Sequence, residues 1–265
     1  MDLVLLRAQM PALVQSHIPS NVRRFTYCIL DGVPRPSSLG ITFDPKPFEG
    51  KVVAKTEQAI VVKTGRAEFA VLDRSLVTRD PEEGAKVLVE PYARRRFDGL
   101  RADTPEQRTE RRADGTEFVS ETMVLGAAPA KLPIAKPRCP ELAALIEQLE
   151  ELPAPDGFRR ITHMLVDAGA KAFNWVDPKP SDICKTPPAI TFTVSAAKFD
   201  GAVRILYDRG ADAYVIEFLS AGQPIDRIED VYFEDLGNVL ASRLDDGSWR
   251  RIHVTPLPAR TCSPA

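Results

Sequence analysis

The sequence has few of the residues that build reactive or metal-binding centres. Histidine occurs three times in 265 residues, as His17, His163 and His253, and each stands alone. A zinc site needs three or four converging ligands and usually begins with a closely spaced pair. The chain has no Gly-x-x-x-x-Gly-Lys-Ser/Thr, Gly-x-Gly-x-x-Gly or Gly-x-Ser-x-Gly loop. The sequence therefore predicts a protein that is not an enzyme and holds no metal or cofactor.

The four cysteines are too far apart for a dense disulfide framework. They stand at positions 28, 139, 184 and 262, and no two form a Cys-x-x-Cys pair. Small secreted domains usually carry more closely spaced cysteines. We therefore expect free thiols in a reducing cytoplasm, with Cys28 buried in an apolar strand as a packing residue.

Long apolar runs are missing as well. No stretch approaches the roughly 20 apolar residues that span a bilayer. The first residues, Met1–Arg7, combine a short apolar run with no basic start, unlike a signal peptide. The sequence thus predicts a cytoplasmic protein without membrane insertion.

The composition is otherwise that of a globular protein, with 44% hydrophobic and 27% charged residues. The length exceeds the usual domain size of about 100–150 residues, which favours two domains. The net charge of −2 hides an asymmetry, because residues 1–139 hold 22 Lys and Arg against 18 Asp and Glu, whereas residues 140–265 hold 13 against 19. The basic half offers a face for nucleic acid or an acidic protein, although such an excess is also ordinary surface charge.

Short β-type segments dominate the first half. They lie at 51–55, 59–63, 68–73 and 86–90, and tight turns such as Thr64-Gly65-Arg66 separate them. This spacing predicts a small barrel-like or sandwich domain, since closure would remove the exposed strand edges. We assign the β-rich domain to residues 1–126, including an N-terminal leader of one or two helical turns with Pro11 in a first turn.

Residues 127–140 contain four prolines and predict a semi-stiff linker between domains. The second domain, residues 141–258, begins with leucine spacings that predict helices at 141–152 and 158–166, the latter with Asp156 as N-cap. Alternating strands follow from Ile190, and a further helix is predicted at 234–244. The order predicts an antiparallel sheet with helices on one face, so the fold class is α+β.

One cationic segment is a candidate binding site for nucleic acid or a protein partner. Arginines near aromatic rings can hold phosphates while the rings stack on bases. The candidate set consists of the run Arg94, Arg95, Arg96 and Phe97, the preceding Tyr92, and Lys63 and Arg66 of the Thr-Gly-Arg turn. The alternative is a solvated loop whose arginines pair with nearby carboxylates such as Asp98.

Three other residues have two interpretations each. His163 lies inside a predicted helix, where it is a hydrogen-bonded structural residue or a general base. Asp208 and Asp212 flank a predicted hairpin loop, where they contact a cation or form Asx turns.

Residues 48–87 resemble the KfrB-type domain. The resemblance rests on the strand pattern from Phe48-Glu49-Gly50 through Thr64-Gly65-Arg66 to Gly84-Ala85-Lys86-Val87, about a sixth of the chain. That domain recurs in accessory and mobilisation proteins of conjugative plasmids, and the remaining sequence is similar to uncharacterised proteins of plasmids and integrative elements. The resemblance implies an accessory role in a mobile element and supplies no catalytic residues.

Three hypotheses follow for the function. The first is a non-catalytic accessory protein that modulates or inhibits conjugative plasmid transfer by binding conjugation or coupling proteins. The second is a DNA-binding accessory factor that uses the basic N-terminal domain. The third is an unfamiliar metal-dependent nuclease that uses acidic C-terminal loops, including Asp208 and Asp212.

Overall fold

The computed structural model describes residues 1–122 and 124–258 and has a mixed α+β fold that is mostly sheet. Its helices are α1 (Leu3–Val14), α2 (Pro140–Glu151), α3 (Ile161–Asp167) and α4 (Leu236–Leu244). Its strands are β1 (Thr26–Leu30), β2 (Phe48–Lys55), β3 (Ala59–Lys63), β4 (Glu68–Asp73), β5 (Lys86–Glu90), β6 (Glu106–Arg111), β7 (Glu117–Thr122), β8 (Lys171–Val176), β9 (Ala189–Ser195), β10 (Asp200–Asp208), β11 (Ala213–Ser220), β12 (Gln223–Val231) and β13 (His253–Pro256).

The described chain forms two compact units. Residues 1–36, 44–93 and 248–258 belong to the first, and residues 37–43 and 94–247 to the second. The expected linker at 127–140 falls inside the second unit, as does the segment 94–126 that we assigned to the β-rich domain. The division of the chain therefore depends on contacts between segments that are distant in sequence.

The first unit is built on a six-stranded mixed sheet in the order β1-β4-β3-β2-β5-β13. Its strands β2 to β5 match the four segments expected from the sequence. Strand β3 is buried on both faces because its alternate residues enter two different apolar clusters. Helix α1 covers one of these faces with Leu6, Met10 and Val14, which share a side of the helix at a spacing of four residues.

The sheet of the first unit stays open. Strand β1 pairs in parallel with β4 at one end, and β13 pairs with β5 at the other. No closed barrel is found among the residues that the structure describes, so the expected barrel-like closure is absent. The sequence pattern of β2 to β5 could not reveal this, because the strand beyond β5 comes from the far end of the chain.

Two local expectations for the first unit are wrong. Pro11 lies in the interior of α1 rather than in a first turn, where it is tolerated on the exposed side of the helix. Cys28 is exposed, because β1 is an end strand whose neighbouring residues Tyr27 and Ile29 pack with the α1 cluster. Cys28, Cys139 and Cys184 are free thiols as expected, and Cys262 lies outside the described residues.

The second unit contains the antiparallel sheet β12-β11-β10-β9-β8. One face carries Ile190, Phe192, Ile205 and Ile216, and the apolar sides of α2, α3 and α4 pack in the same cluster. Helices thus lie on one face of this sheet. No helix in the described part of the chain has both the length and the apolar character needed to cross a membrane.

A buried arginine joins the ends of two helices in the second unit. The guanidinium of Arg159 is fully buried and pairs with Asp156 at 3.0 Å, with Asp167 at 2.8 Å and with Asp245. Asp156 accepts backbone N–H bonds from Phe158 and Arg159, so it does not cap α3, whose N-cap is Arg160. The expected role of Asp156 as a helix cap is therefore wrong.

Candidate functional site

The candidate binding residues of the first unit have structural contacts. The ammonium group of Lys63 donates to the His17 carbonyl oxygen at 2.6 Å, and Arg66 donates to Asn21 Oδ1 at 2.8 Å. The ring of Tyr92 packs edge-on against Trp249 with centroids 4.9 Å apart. The contacts of Lys63 and Arg66 connect the Thr-Gly-Arg turn to the segment that follows α1.

Arg94 belongs to the interior of the second unit. Its guanidinium donates to the carbonyl oxygens of Phe158 at 3.0 Å and Thr42 at 2.9 Å, and it stacks over the Phe158 ring at 4.1 Å. Only 8% of the residue is exposed. In this conformation Arg94 is a packing residue and presents little surface to a ligand.

The next residues form a tight turn that presents Arg96 and Phe97. The backbone N–H of Arg96 donates to the Leu100 carbonyl at 2.9 Å, and the side chain of Arg95 donates to the Gly99 carbonyl at 2.9 Å. Gly99 has a φ of +82°, a conformation that glycine adopts without steric cost. The turn fixes the direction in which Arg96 and Phe97 leave the backbone.

Arg96 and Phe97 line a groove of about 1150 Å³ in the second unit. The turn at 96–100 forms one part of its wall, the hairpin of β6 and β7 forms another, and the start of β8 with residues 129–133 completes it. The groove therefore joins residues between positions 96 and 173. Of its lining residues, only Arg96 and Phe97 belong to the set expected from the sequence.

Aromatic residues form the apolar part of the groove. The rings of Phe97 and Phe173 meet edge-on with centroids 5.1 Å apart, and Phe173 contacts Phe192 of the core at 5.3 Å. Leu100 adds an apolar side chain that is 49% exposed. The groove thus combines a supported aromatic wall with an exposed apolar edge.

Phe173 reaches the groove through an irregularity in β8. Lys171 and Asn174 pair with β9, but the register shifts between them. Ala172 in this bulge has a φ of +54°, a left-handed conformation that costs a residue with a Cβ of order 1 kcal/mol. Such bulges redirect side chains, and this one lies where Phe173 joins the aromatic wall.

The charges around the groove are almost balanced. Four cationic side chains line it, those of Arg96, Arg108, Lys131 and Lys171, together with three carboxylates, those of Asp98, Glu106 and Glu121. Arg96 pairs with Asp98 at 3.3 Å and lies 3.9 Å from Glu106, and Arg108 lies 3.5 Å from Glu106. The carboxylates therefore neutralise much of the positive charge inside the groove.

One polar atom of the groove is unsatisfied. The Nε of Arg96 is buried and has no hydrogen-bond partner among the described residues. A buried donor without an acceptor costs about 1–3 kcal/mol.

The proline-rich segment 127–140, here called the strap, is fixed to the second unit. Glu150 of α2 is buried and accepts from Leu132 N–H at 2.8 Å and from Lys131 Nζ at 2.6 Å. Asp177 accepts from the backbone N–H of Arg138 and Cys139 at 3.0 and 2.9 Å. These contacts hold the strap residues that border the groove.

His163 is a further anchor of the strap. Its Nδ1 accepts from Arg160 N–H at 3.2 Å, so Nε2 carries the proton and donates to the Ala128 carbonyl at 2.9 Å. Burial lowers the pKa of His163 to about 4, and the positive charges of Arg94, Arg160 and Arg159 act in the same direction. The ring is therefore neutral at pH 7 and has the contacts of a structural histidine.

The acidic hairpin loop provides local hydrogen bonds. Asp208 accepts from Gly210 N–H at 2.7 Å, as in an Asx turn, and Asp212 accepts from the Tyr207 hydroxyl at 2.6 Å. The bond to Asp212 raises the pKa of Tyr207 to about 12. No group of three or more His, Cys, Asp or Glu side chains suited to a metal ion occurs in residues 1–122 and 124–258.

Comparison of the chain with protein-family models, with curated proteins and with solved structures finds no match. The similarity of residues 48–87 to the KfrB-type domain thus stays a prediction. The groove has to be interpreted from its own residues.

Proposed function

We propose that the chain is a non-catalytic binding protein that receives a protein partner in the groove of its second unit. The observation that carries this proposal is the combination of an aromatic wall with nearly balanced charge. Protein interfaces are enriched in aromatic residues and arginine, whereas nucleic-acid sites depend on uncompensated Lys and Arg facing phosphates. Here Asp98 and Glu106 neutralise Arg96, so the groove lining has an excess of only one cation, too small for binding a phosphate backbone.

The hairpin of β6 and β7 supports the same proposal. All six residues of β6 are exposed, and the two strands pair only with each other. Phe118 and Val119 are 36% and 62% exposed, although the Arg112 guanidinium lies 5.0 Å from the Phe118 ring centroid. An isolated hairpin is marginally stable in water, so contact with a partner would add the burial that the hairpin lacks.

The resemblance to the KfrB-type domain supports a role in conjugative elements. On this basis we propose that the partner is a conjugation or coupling protein, and that binding modulates or inhibits plasmid transfer. This role requires no chemical reaction at the groove, because binding alone is sufficient to modulate the partner.

The test is a transfer assay with matched charge reversals. One variant combines Arg108→Glu, Lys131→Glu and Lys171→Glu at the groove, and the control combines Lys179→Glu, Lys185→Glu and Arg209→Glu at exposed sites of the same unit. We expect the wild type and the control to change the transfer frequency of a co-resident conjugative plasmid and to retain a transfer protein in pull-downs. We expect the groove variant to do neither.

Equal behaviour of the two variants would rule out the groove as the binding site. Retention of the wild type on DNA with a steep salt dependence, lost in the groove variant, would favour nucleic acid as the ligand instead. An unchanged transfer frequency with the wild type, for every plasmid tested, would count against the role in conjugation but not against protein binding.

A further inference from the structure

The free edge of β6 borders the groove, and its backbone groups are available for pairing. Three consecutive residues of β6, Glu106 to Arg108, line the groove, and the strand is paired on one side only, with β7. The pairing runs without a register shift from Glu106 opposite Thr122 to Arg111 opposite Glu117. A regular strand edge of this kind can accept an additional strand.

The turn of the hairpin determines which backbone groups lie on that edge. Arg112 N–H donates to the Thr116 carbonyl at 2.8 Å, so the two residues form a hydrogen-bonded pair. Hydrogen-bonded and non-hydrogen-bonded pairs alternate along an antiparallel ladder. The pairs Thr109–Val119 and Gln107–Glu121 are consequently non-hydrogen-bonded, and the N–H and C=O groups of Gln107 and Thr109 point away from β7.

Positive charge is in slight excess around the groove, whose lining has four cationic side chains against three carboxylates. Glu106 and Asp98 already face Arg96, whereas Lys171 and Glu121 have no ion partner among the described residues. The side chains of Lys131 and Arg108 are 69% and 71% exposed despite their ion pairs.

We propose that the groove binds an extended peptide segment that adds to β6 as a third strand. One apolar or aromatic side chain of the peptide packs against Phe97, Phe173 and Leu100, and neighbouring acidic side chains face Lys131 and Lys171. This inference rests on the proposed function and specifies the partner as a strand with an acidic-aromatic sequence.

Strand addition explains two features together. It would convert a marginal two-stranded hairpin into a three-stranded sheet, which is the smallest sheet with independent stability. It would also cover the exposed part of the aromatic wall. Main-chain bonds then supply affinity, and the pocket for alternate side chains supplies specificity.

The test uses a random dodecapeptide library displayed on phage, selected on the full chain. We expect enriched peptides to carry an aromatic residue flanked by Asp or Glu, and synthetic copies to slow hydrogen exchange at residues 106–111. Enriched peptides without acidic residues, or with basic ones, would overturn the proposed chemistry. The same would follow if no peptide were enriched over an uncoated surface.

Two proline variants test the strand geometry. Thr109→Pro removes an outward N–H from β6 without breaking a bond to β7, and it should weaken the selected peptide at least about tenfold. Glu117→Pro makes the equivalent change on the outer edge of β7, because the Arg111–Glu117 pair is also non-hydrogen-bonded, and it should leave binding within about twofold. Equal losses in the two variants, with circular dichroism unchanged, would overturn addition to β6.

The outcomes separate this inference from the function on which it rests. If the wild type captures a transfer protein through the groove but binds no selected peptide, strand addition is wrong and protein binding stands. If the free chain is a dimer by sedimentation and Thr109→Pro dissociates it, the strand on β6 comes from a second copy, and the peptide proposal is wrong. If neither peptide nor transfer protein depends on groove residues, both proposals are wrong.

Discussion

The carboxylate of Glu150 accepts a hydrogen bond from the backbone N–H of Leu132 at 2.8 Å, and Glu150 is only 6% exposed. The contact lies inside the second unit and fixes the strap to α2. A segment whose prolines predict a linker thereby becomes part of the groove wall. The same carboxylate also pairs with the ammonium group of Lys131 at 2.6 Å.

We expect Glu150→Gln to destabilise the second unit by about 1–3 kcal/mol, because a charge-assisted bond in a buried site is lost. Urea denaturation followed by circular dichroism measures the change. Glu147→Gln is the control, since Glu147 is an exposed residue on the same helix, and it should stay within about 0.5 kcal/mol of the wild type. Similar stabilities for the two variants would mean that the strap does not depend on Glu150.

Replacing Arg94 should destabilise the chain much more than replacing Arg95, although the two are neighbours in a run of three arginines. Arg94→Ala removes two hydrogen bonds of a buried guanidinium to backbone carbonyls and the stack on Phe158, so we expect a loss of about 2–4 kcal/mol. Arg95→Ala removes one exposed contact with Gly99 and should cost less than about 0.5 kcal/mol. The free energy of unfolding in urea checks both values. A larger loss for Arg95→Ala would contradict the assignment of Arg94 to the interior.

The second unit should lose stability in mild acid through His163. The pKa of His163 is about 4 in the folded chain against 6.5 for the free side chain, so the unfolded state binds the proton more readily between these values. Stability is therefore fully present above pH 6.5 and falls as the pH decreases towards 4, by about 3 kcal/mol from this residue. Denaturant titrations at pH 7, 6, 5 and 4.5 measure the slope.

His163→Gln separates this effect from other titrating groups. Glutamine can replace the two hydrogen bonds in part but binds no proton in this range. The variant is expected to be less stable than the wild type at pH 7 and to show a shallower pH dependence. An identical pH slope would mean that another group controls the acid response.

Glycine 50 should be required in β2 where the strand approaches β3. A Cβ at Gly50 would lie 2.4 Å from Val62 Cγ1 and 2.6 Å from the Lys63 carbonyl oxygen. Both are fixed atoms of a buried strand pair, so Gly50→Ala should destabilise the first unit by about 1–3 kcal/mol. At Gly65 the nearest atom is the flexible Glu68 carboxylate at 2.9 Å. Gly65→Ala should thus be tolerated, and equal effects in thermal unfolding would contradict the close approach.

The sequence predicted those elements whose signal is local. Strands β2 to β5 appeared as short apolar segments between tight turns, and α2 as a leucine stripe, because these signals are carried by residues adjacent in sequence. The open sheet of the first unit was not predictable in this way. Its last strand, β13, comes from residues 253–256 and pairs with β5, about 165 residues earlier in the chain.

The site was predictable only in part for the same reason. A run of three arginines predicts a surface, but the partners of Arg94 are Thr42 and Phe158, which lie 52 and 64 residues away. Phe173 enters the groove through a bulge at Ala172 that no sequence pattern indicates. Asp156 has the sequence of a helix cap, whereas the buried Arg159 beside it takes up its carboxylate.

The central claim is that the groove of the second unit binds a protein partner, and photo-crosslinking in donor cells tests it most directly. A benzophenone amino acid replaces Leu100, which is 49% exposed in the groove, or Leu39, which is 79% exposed outside the groove lining. We predict that irradiation gives a discrete protein adduct from position 100 in cells carrying a conjugative plasmid, and no such adduct from position 39. Adducts that are the same from both positions, or only nucleic-acid adducts from position 100, would contradict the account.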